Sequence, residues 1–146
     1  MPAGIPSALA ERKQINGANP AANAEVSQVV PSDKWWNLLS VSVVLVQGIT
    51  QTPQPILIIE DAENDVVFAA PGASAAQGAS TTARYTWAPG LLVGALVGTT
   101  PNIFGFAPLP EDLIIGPGWE IKTQTLGIGA GTDYAAPSLS VVEYAS

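Results

Sequence analysis

The tract Trp35-Trp36-Asn37-Leu38-Leu39-Ser40-Val41-Ser42-Val43-Val44-Leu45-Val46-Gln47 carries no charged residue and is followed by Gly48. Its β-branched and aromatic content reads as one long β-strand. Successive side chains on a strand point to opposite faces. By that parity Leu39, Val41, Val43 and Leu45 share one wholly apolar face. Ser40 and Ser42 lie on the other, flanked by Trp36, Leu38, Val44 and Val46. A strand apolar on both faces needs cover on both. In a chain of 146 residues, part of that cover is expected from another protein.

Composition narrows the function classes. Charged residues make up 12% of the chain and the net charge is −7, against roughly 25% charged residues in an average soluble domain. The five basic residues, Arg12, Lys13, Lys34, Arg84 and Lys122, are scattered. They do not form the cationic stripe that neutralises phosphates, so nucleic acid is excluded as a partner. The chain has no Cys and no His, which removes disulfides, thiol chemistry, Cys/His zinc sites and His-based triads. The N-terminus lacks a basic region followed by an apolar one, so it does not read as a signal peptide. The apolar runs fall short of the roughly 20 residues a spanning helix needs, so no membrane partner is expected.

The chain divides into residues 1–23, an N-terminal arm, and residues 24–146, a β-sandwich domain. The arm holds Pro2, Pro6 and Pro20 and the Arg12-Lys13 pair. Residues 7–15 are consistent with a short helix capped by Ser7 and stopped near Gly17. The arm reads either as a leader without fixed structure or as a segment that orders on a partner. From Glu25 onward strand patterns alternate with turns: residues 25–30, 35–47, 56–60, 66–70, 81–87, 91–97, 102–106, 113–115, 119–125 and 138–144. Such spacing predicts an all-β fold, an antiparallel β-sandwich of jelly-roll type with about eight main strands and an extended N-terminal arm. An immunoglobulin-like sandwich is the alternative.

Three segments carry a resemblance: Val30-Pro31-Ser32-Asp33-Lys34-Trp35-Trp36-Asn37-Leu38-Leu39-Ser40-Val41-Ser42-Val43, then Ala79-Ser80-Thr81-Thr82-Ala83-Arg84-Tyr85-Thr86-Trp87-Ala88-Pro89-Gly90-Leu91, and Leu109-Pro110 through Gly118-Trp119-Glu120-Ile121-Lys122-Thr123. Together they resemble small tailed-bacteriophage virion proteins of the jelly-roll type, over roughly residues 25–146. The resemblance implies a non-enzymatic structural protein made in the host bacterial cytoplasm and placed in the virion. A head decoration (cement) protein on the capsid surface is the leading form, with a tail-fibre, spike or head-fibre module that binds host glycan as the alternative. Its implied partners are the major capsid protein and further copies of itself, as a trimer by capsid symmetry.

The residues support no catalytic set, and no cofactor or metal is expected. Glu60, Asp61, Glu63 and Asp65 lack the glycine and terminal Glu of an EF-hand loop and read as a hairpin turn. Glu111-Asp112 reads as a polar loop. Trp35, Trp36, Tyr85, Trp87 and Trp119 read as core or interface aromatics, with a sugar-stacking platform as the other reading. Arg84, on the Thr-rich face of its strand, is expected to pair with a carboxylate across the sheet. Partner contacts are assigned to Leu9, Arg12, Lys13 and Ile15 of the arm, and to Trp35 and Trp36.

Overall fold

The computed structural model describes residues 10–48 and 52–145. Strands alone make up its regular structure: β1 (Glu11–Asn16), β2 (Ser27–Val29), β3 (Lys34–Val46), β4 (Gln54–Glu60), β5 (Val66–Pro71), β6 (Thr82–Ala88), β7 (Val97–Thr99), β8 (Asn102–Pro108), β9 (Ile114–Ile115), β10 (Glu120–Leu126), β11 (Asp133–Tyr134) and β12 (Ser138–Ala145). The larger sheet runs β1-β12-β3-β6-β8-β7, with β9 and β11 also paired to β3, and the smaller runs β2-β10-β4-β5. The two sheets enclose one apolar core, a sandwich compatible with a jelly roll.

Strand β3 spans the larger sheet as its sequence predicts, but its faces are not those of simple alternation. Trp36 and Leu38 are buried, and so are Val41, Val43 and Leu45. The parity changes at Leu39. Opposite β12, Ser40 pairs with Ser140 while Leu38 pairs with Val141, so Leu39 is the extra residue of a β-bulge. A bulge leaves one residue unpaired and shifts the side chains beyond it to the other face. Trp36 and Leu38 therefore enter the same core as Val41, Val43 and Leu45, while Val44 and Val46 turn outward. The partners change at the same place: Trp36 and Asn37 pair with β9, and Val41 to Val46 pair with β6.

Other expectations are corrected by the chain's long-range pairing. In place of a helix over residues 7–15, Glu11–Asn16 forms β1, antiparallel to β12 from Glu11 opposite Glu143 to Asn16 opposite Ser138. Pairing along a whole strand outweighs the weak preference of one short helical turn. Leu9 and Ser7 lie outside the described residues. Residues 91–96 form no strand; Gly94 instead accepts a hydrogen bond from the Ser74 amide at 2.8 Å. This segment is the crossover that lets β8 lie parallel to β6, the one departure from the antiparallel expectation.

Candidate interaction surface

Lys13 and Ile15, expected to meet a partner, are used by the chain itself. Both project from the inner face of β1. Ile15 packs against the core beside Leu139, its partner in register. Lys13 Nζ donates to Glu143 Oε1 at 2.8 Å, and Trp36 Nε1 donates to Glu143 Oε2 at 2.9 Å. The carboxylate thus ties the edge strand to the core. Burial of Glu143 acts to raise its pKa, but the hydrogen bonds from Lys13 and Trp36 and the Lys13 charge outweigh it and hold the carboxyl below its ordinary value. The hydrogen bond to Glu143, and then its charge, raise the Lys13 pKa.

Trp36 is 1% exposed and offers no surface to a partner. Trp35 is half-buried and lies with Trp119 around Gly116, where a Cβ would stand 3.0 Å from Trp35 and 3.4 Å from Trp119. Arg12 is exposed and has no carboxylate at ion-pairing distance among the described residues.

The five strand aromatics do not form one exposed platform: Trp36, Tyr85 and Trp87 are buried, and only Trp35 and Trp119 are partly exposed. Tyr85 and Trp87 are buried, their rings stacked with centroids 6.2 Å apart. Trp87 Nε1 donates to the Ala70 carbonyl at 3.1 Å and the Tyr85 hydroxyl donates to Gln77 Oε1 at 3.0 Å. The acidic tract is a hairpin turn: Asp61 Oδ1 accepts from the amides of Glu63 and Asp65, at 3.0 and 2.9 Å, while Glu60 turns to Lys122 at 2.7 Å.

The cleft between β2 and β10, about 470 Å³, is lined by Glu25, Ser27, Glu120 and Lys122 among others. Its charges are already engaged. Glu25 accepts from the Thr125 amide and the Thr123 and Thr125 hydroxyls at 2.9, 2.8 and 2.6 Å. Glu120 accepts from Ser27, and Lys122 is held by Glu60. No group of three or more Asp or Glu side chains is placed to hold a metal ion among the described residues.

The exposed aromatics are elsewhere. On β8, Gly105 and Ala107 face the core while Phe104 and Phe106 face out, 38% and 42% exposed, with centroids 6.4 Å apart. The reason is space. A Cβ on Gly105 would lie 2.8 Å from the Gly72 carbonyl and 2.8 Å from the Tyr85 ring. With Tyr85 and Trp87 already filling the interior, β8 turns Gly105 and Ala107 inward beside them, and Ile103 packs at the margin of the core.

Register then builds a row across the outer face of the larger sheet. Val44 lies opposite Arg84, Arg84 beside Phe104, and Phe104 opposite Val97. One step along, Ser42 lies opposite Thr86 and Thr86 beside Phe106. Arg84 corrects another expectation. It donates to Ser42 Oγ at 3.2 Å and meets no carboxylate among the described residues. Lys13, Lys34 and Lys122 each have one, at 2.8, 3.9 and 2.7 Å.

One signal in the sequence marks this surface. Between Asp65 and Glu111, Arg84 is the sole charged residue. That stretch supplies β5, β6, β7 and β8, so one flank of the sandwich is built almost without charge.

No family model matches the chain, and no curated protein matches it. Solved structures do. Infectious bursal disease virus, Gx strain, matches with a TM-score of 0.38 and 10% identity, over 92% of this chain and 30% of that one. The Gt strain matches with a TM-score of 0.33 and 10% identity, over 97% of this chain and 32% of that one. The VP2 subviral particle of the same virus matches with a TM-score of 0.32 and 13% identity, over 92% of this chain and 30% of that one. The chain spans about a third of the length of these neighbours.

Proposed function

We propose that this chain is a bacteriophage virion structural protein, a capsid decoration (cement) protein that attaches to the outer head surface through the outer face of its larger sheet. The observation that carries this reading is the row Val44–Arg84–Phe104–Val97 with Phe106 beside it: outward-facing, apolar around one cation, and with no carboxylate at ion-pairing distance of that cation among the described residues. Exposed aromatics and Arg are the residue types enriched in protein interfaces. The three segments that resemble tailed-phage virion proteins support the same reading. The partner surface is an apolar patch of the major capsid protein bearing an acidic side chain opposite Arg84. Many copies bridging capsid subunits would raise the rupture threshold of the shell through multivalent attachment.

The test mixes purified protein with undecorated capsids of the encoding phage and heats them. Binding with a raised rupture temperature supports the reading, and absence of both overturns it. Phe104→Ser with Phe106→Ser, and separately Arg84→Glu, are expected to abolish binding without loss of the fold. Copy number in the virion separates a head role, with hundreds of copies, from a tail or connector role with roughly six to eighteen, as closed symmetric assemblies require.

A further inference from the structure

Among the asparagines of the chain, Asn16 alone is followed by glycine. That pair is open to intramolecular attack, because glycine has no side chain to hinder the approach of its own nitrogen. Packing dictates the glycine. A Cβ on Gly17 would stand 2.6 Å from Pro137 Cγ and 2.9 Å from Gln28 Oε1, so a side chain there would displace the proline ring. Asn16 itself is exposed, and water reaches its side-chain amide.

The fold restrains the pair in two ways. Asn16 is the last residue of β1, in register with Ser138. Its backbone is extended, whereas a five-membered ring needs the Gly17 nitrogen turned back onto the Asn16 side chain. The Gly17 amide also donates to the Pro137 carbonyl at 2.9 Å, so the proton that must leave is engaged. Both restraints last only while β1 lies on β12. β12 is the one strand neighbour of β1. The side-chain ties between them are Lys13 to Glu143, Gln14 to Ser138, and Ile15 against the core. Elements with few buried contacts open locally before the whole domain unfolds.

We propose that Asn16 is a deamidation site gated by the docking of β1. When the strand leaves β12, the Gly17 nitrogen loses its proton to water and attacks Asn16 Cγ. The new N–Cγ bond closes a succinimide. The Cγ–Nδ2 bond breaks, and the side-chain nitrogen takes a proton from water and departs as ammonia. Water then opens the ring at either carbonyl, giving aspartate or isoaspartate. Isoaspartate lengthens the main chain by one carbon between residues 16 and 17, so the β1 ladder and the Gly17–Pro137 bond no longer fit together. Opening is thereby recorded irreversibly in the strand. This inference concerns the β1 edge and rests on neither the outer face of the larger sheet nor the virion reading.

Peptide mass spectrometry on the full-length protein, incubated at mildly alkaline pH beside a synthetic peptide of residues 11–21, tests it. Asn16 is expected to convert at least about tenfold more slowly in the protein than in the peptide, as a locally closed segment should. Lys13→Gln loosens β1 while leaving Trp36 its acceptor. It is expected to speed conversion several-fold, in step with faster hydrogen exchange of the β1 amides. Low urea should do the same to the parent. The isoaspartate fraction, separated by ion exchange, is expected to exchange its β1 amides faster than the parent. Conversion as fast in the protein as in the peptide overturns the gating. So does a conversion rate that stays fixed while β1 exchange rises, in Lys13→Gln or in urea. An isoaspartate fraction with the β1 exchange of the parent overturns the recording of the opening.

Discussion

The two flanks of this sandwich solve the problem of an exposed sheet in opposite ways. On the β1/β12 flank, charges are spent on closing the molecule. Glu143 holds Lys13 of the edge strand and Trp36 of the core in one hydrogen-bonded set. Lys122, Glu60, Glu120 and Ser27 do similar work across the neighbouring strands of the smaller sheet. On the β5–β8 flank, Arg84 is the sole charge, and among the described residues its side chain donates to the Ser42 hydroxyl and meets no carboxylate. That flank turns out Phe104, Phe106, Val97, Val66 and Val67. Charge near an edge discourages association, while an uncharged, apolar edge invites it. One flank is closed by ion pairs within the chain, and the other is left apolar and almost uncharged.

The comparison can be broken most forcefully at Trp36. Trp36→Ala removes a buried aromatic and the donor that holds Glu143, and should cost about 3–5 kcal/mol in denaturant unfolding, the usual range for Trp truncation. A much smaller loss would show that the charged flank is not anchored through this residue. On the other flank, Gly105→Ala should cost about 1–3 kcal/mol by overpacking against Gly72 and Tyr85. A neutral result would undo the explanation for the outward phenylalanines. Glu143→Ala leaves the buried Trp36 N–H without its acceptor and should cost about 1–3 kcal/mol. Faster amide exchange in β1 should accompany that loss.

Acid probes the same clamp without mutation. The folded-state pKa of Glu143 lies below its ordinary value of 4.5, so its contribution is present above that value and is lost as pH falls through the folded pKa. The Lys13 pKa is raised above 10.5, so its share is complete below 10.5 and lost as pH rises beyond it. The protection factors of the β1 amides, with the intrinsic pH dependence of exchange removed, should therefore be flat between these limits and fall in acid, with Glu143→Gln removing the acid dependence. The smallest effect is expected on the open flank. Val67→Lys should change monomer stability by no more than about 0.5 kcal/mol, as surface substitutions do. A larger loss would mean that Val67 is structurally committed within the monomer.

Much of the sandwich is legible in the sequence because alternation and turn chemistry are local. The long β3 strand, the Asp61–Asp65 turn with its Asx hydrogen bonds, and the half-buried alternation of β6 all follow from residue types at short spacing. The surface was harder to read. Trp36, Tyr85 and Trp87 are as aromatic as Phe104 and Phe106, and nothing in their immediate neighbours says which set turns inward. The lack of any charge but Arg84 between Asp65 and Glu111 is the one local sign of this apolar flank.

The surplus of apolar residues on β3 shows where sequence information ends. Composition and strand propensity establish that the tract is a strand, that it needs extensive cover, and that this chain lacks the chemistry of a Cys- or His-based site. They do not reveal that Trp36 and Leu38 enter the same core as Val41, Val43 and Leu45. That depends on pairing Leu38 with Val141 and Ser40 with Ser140, two partners a hundred residues away in the chain, which leaves Leu39 as the bulge. The same long-range pairing makes a strand of residues 11–16 and gives Lys13 its carboxylate. Parity is a local property, but the register that resets it is fixed by which distant strand lies alongside, because only that partner can satisfy the backbone and fill the space beneath it.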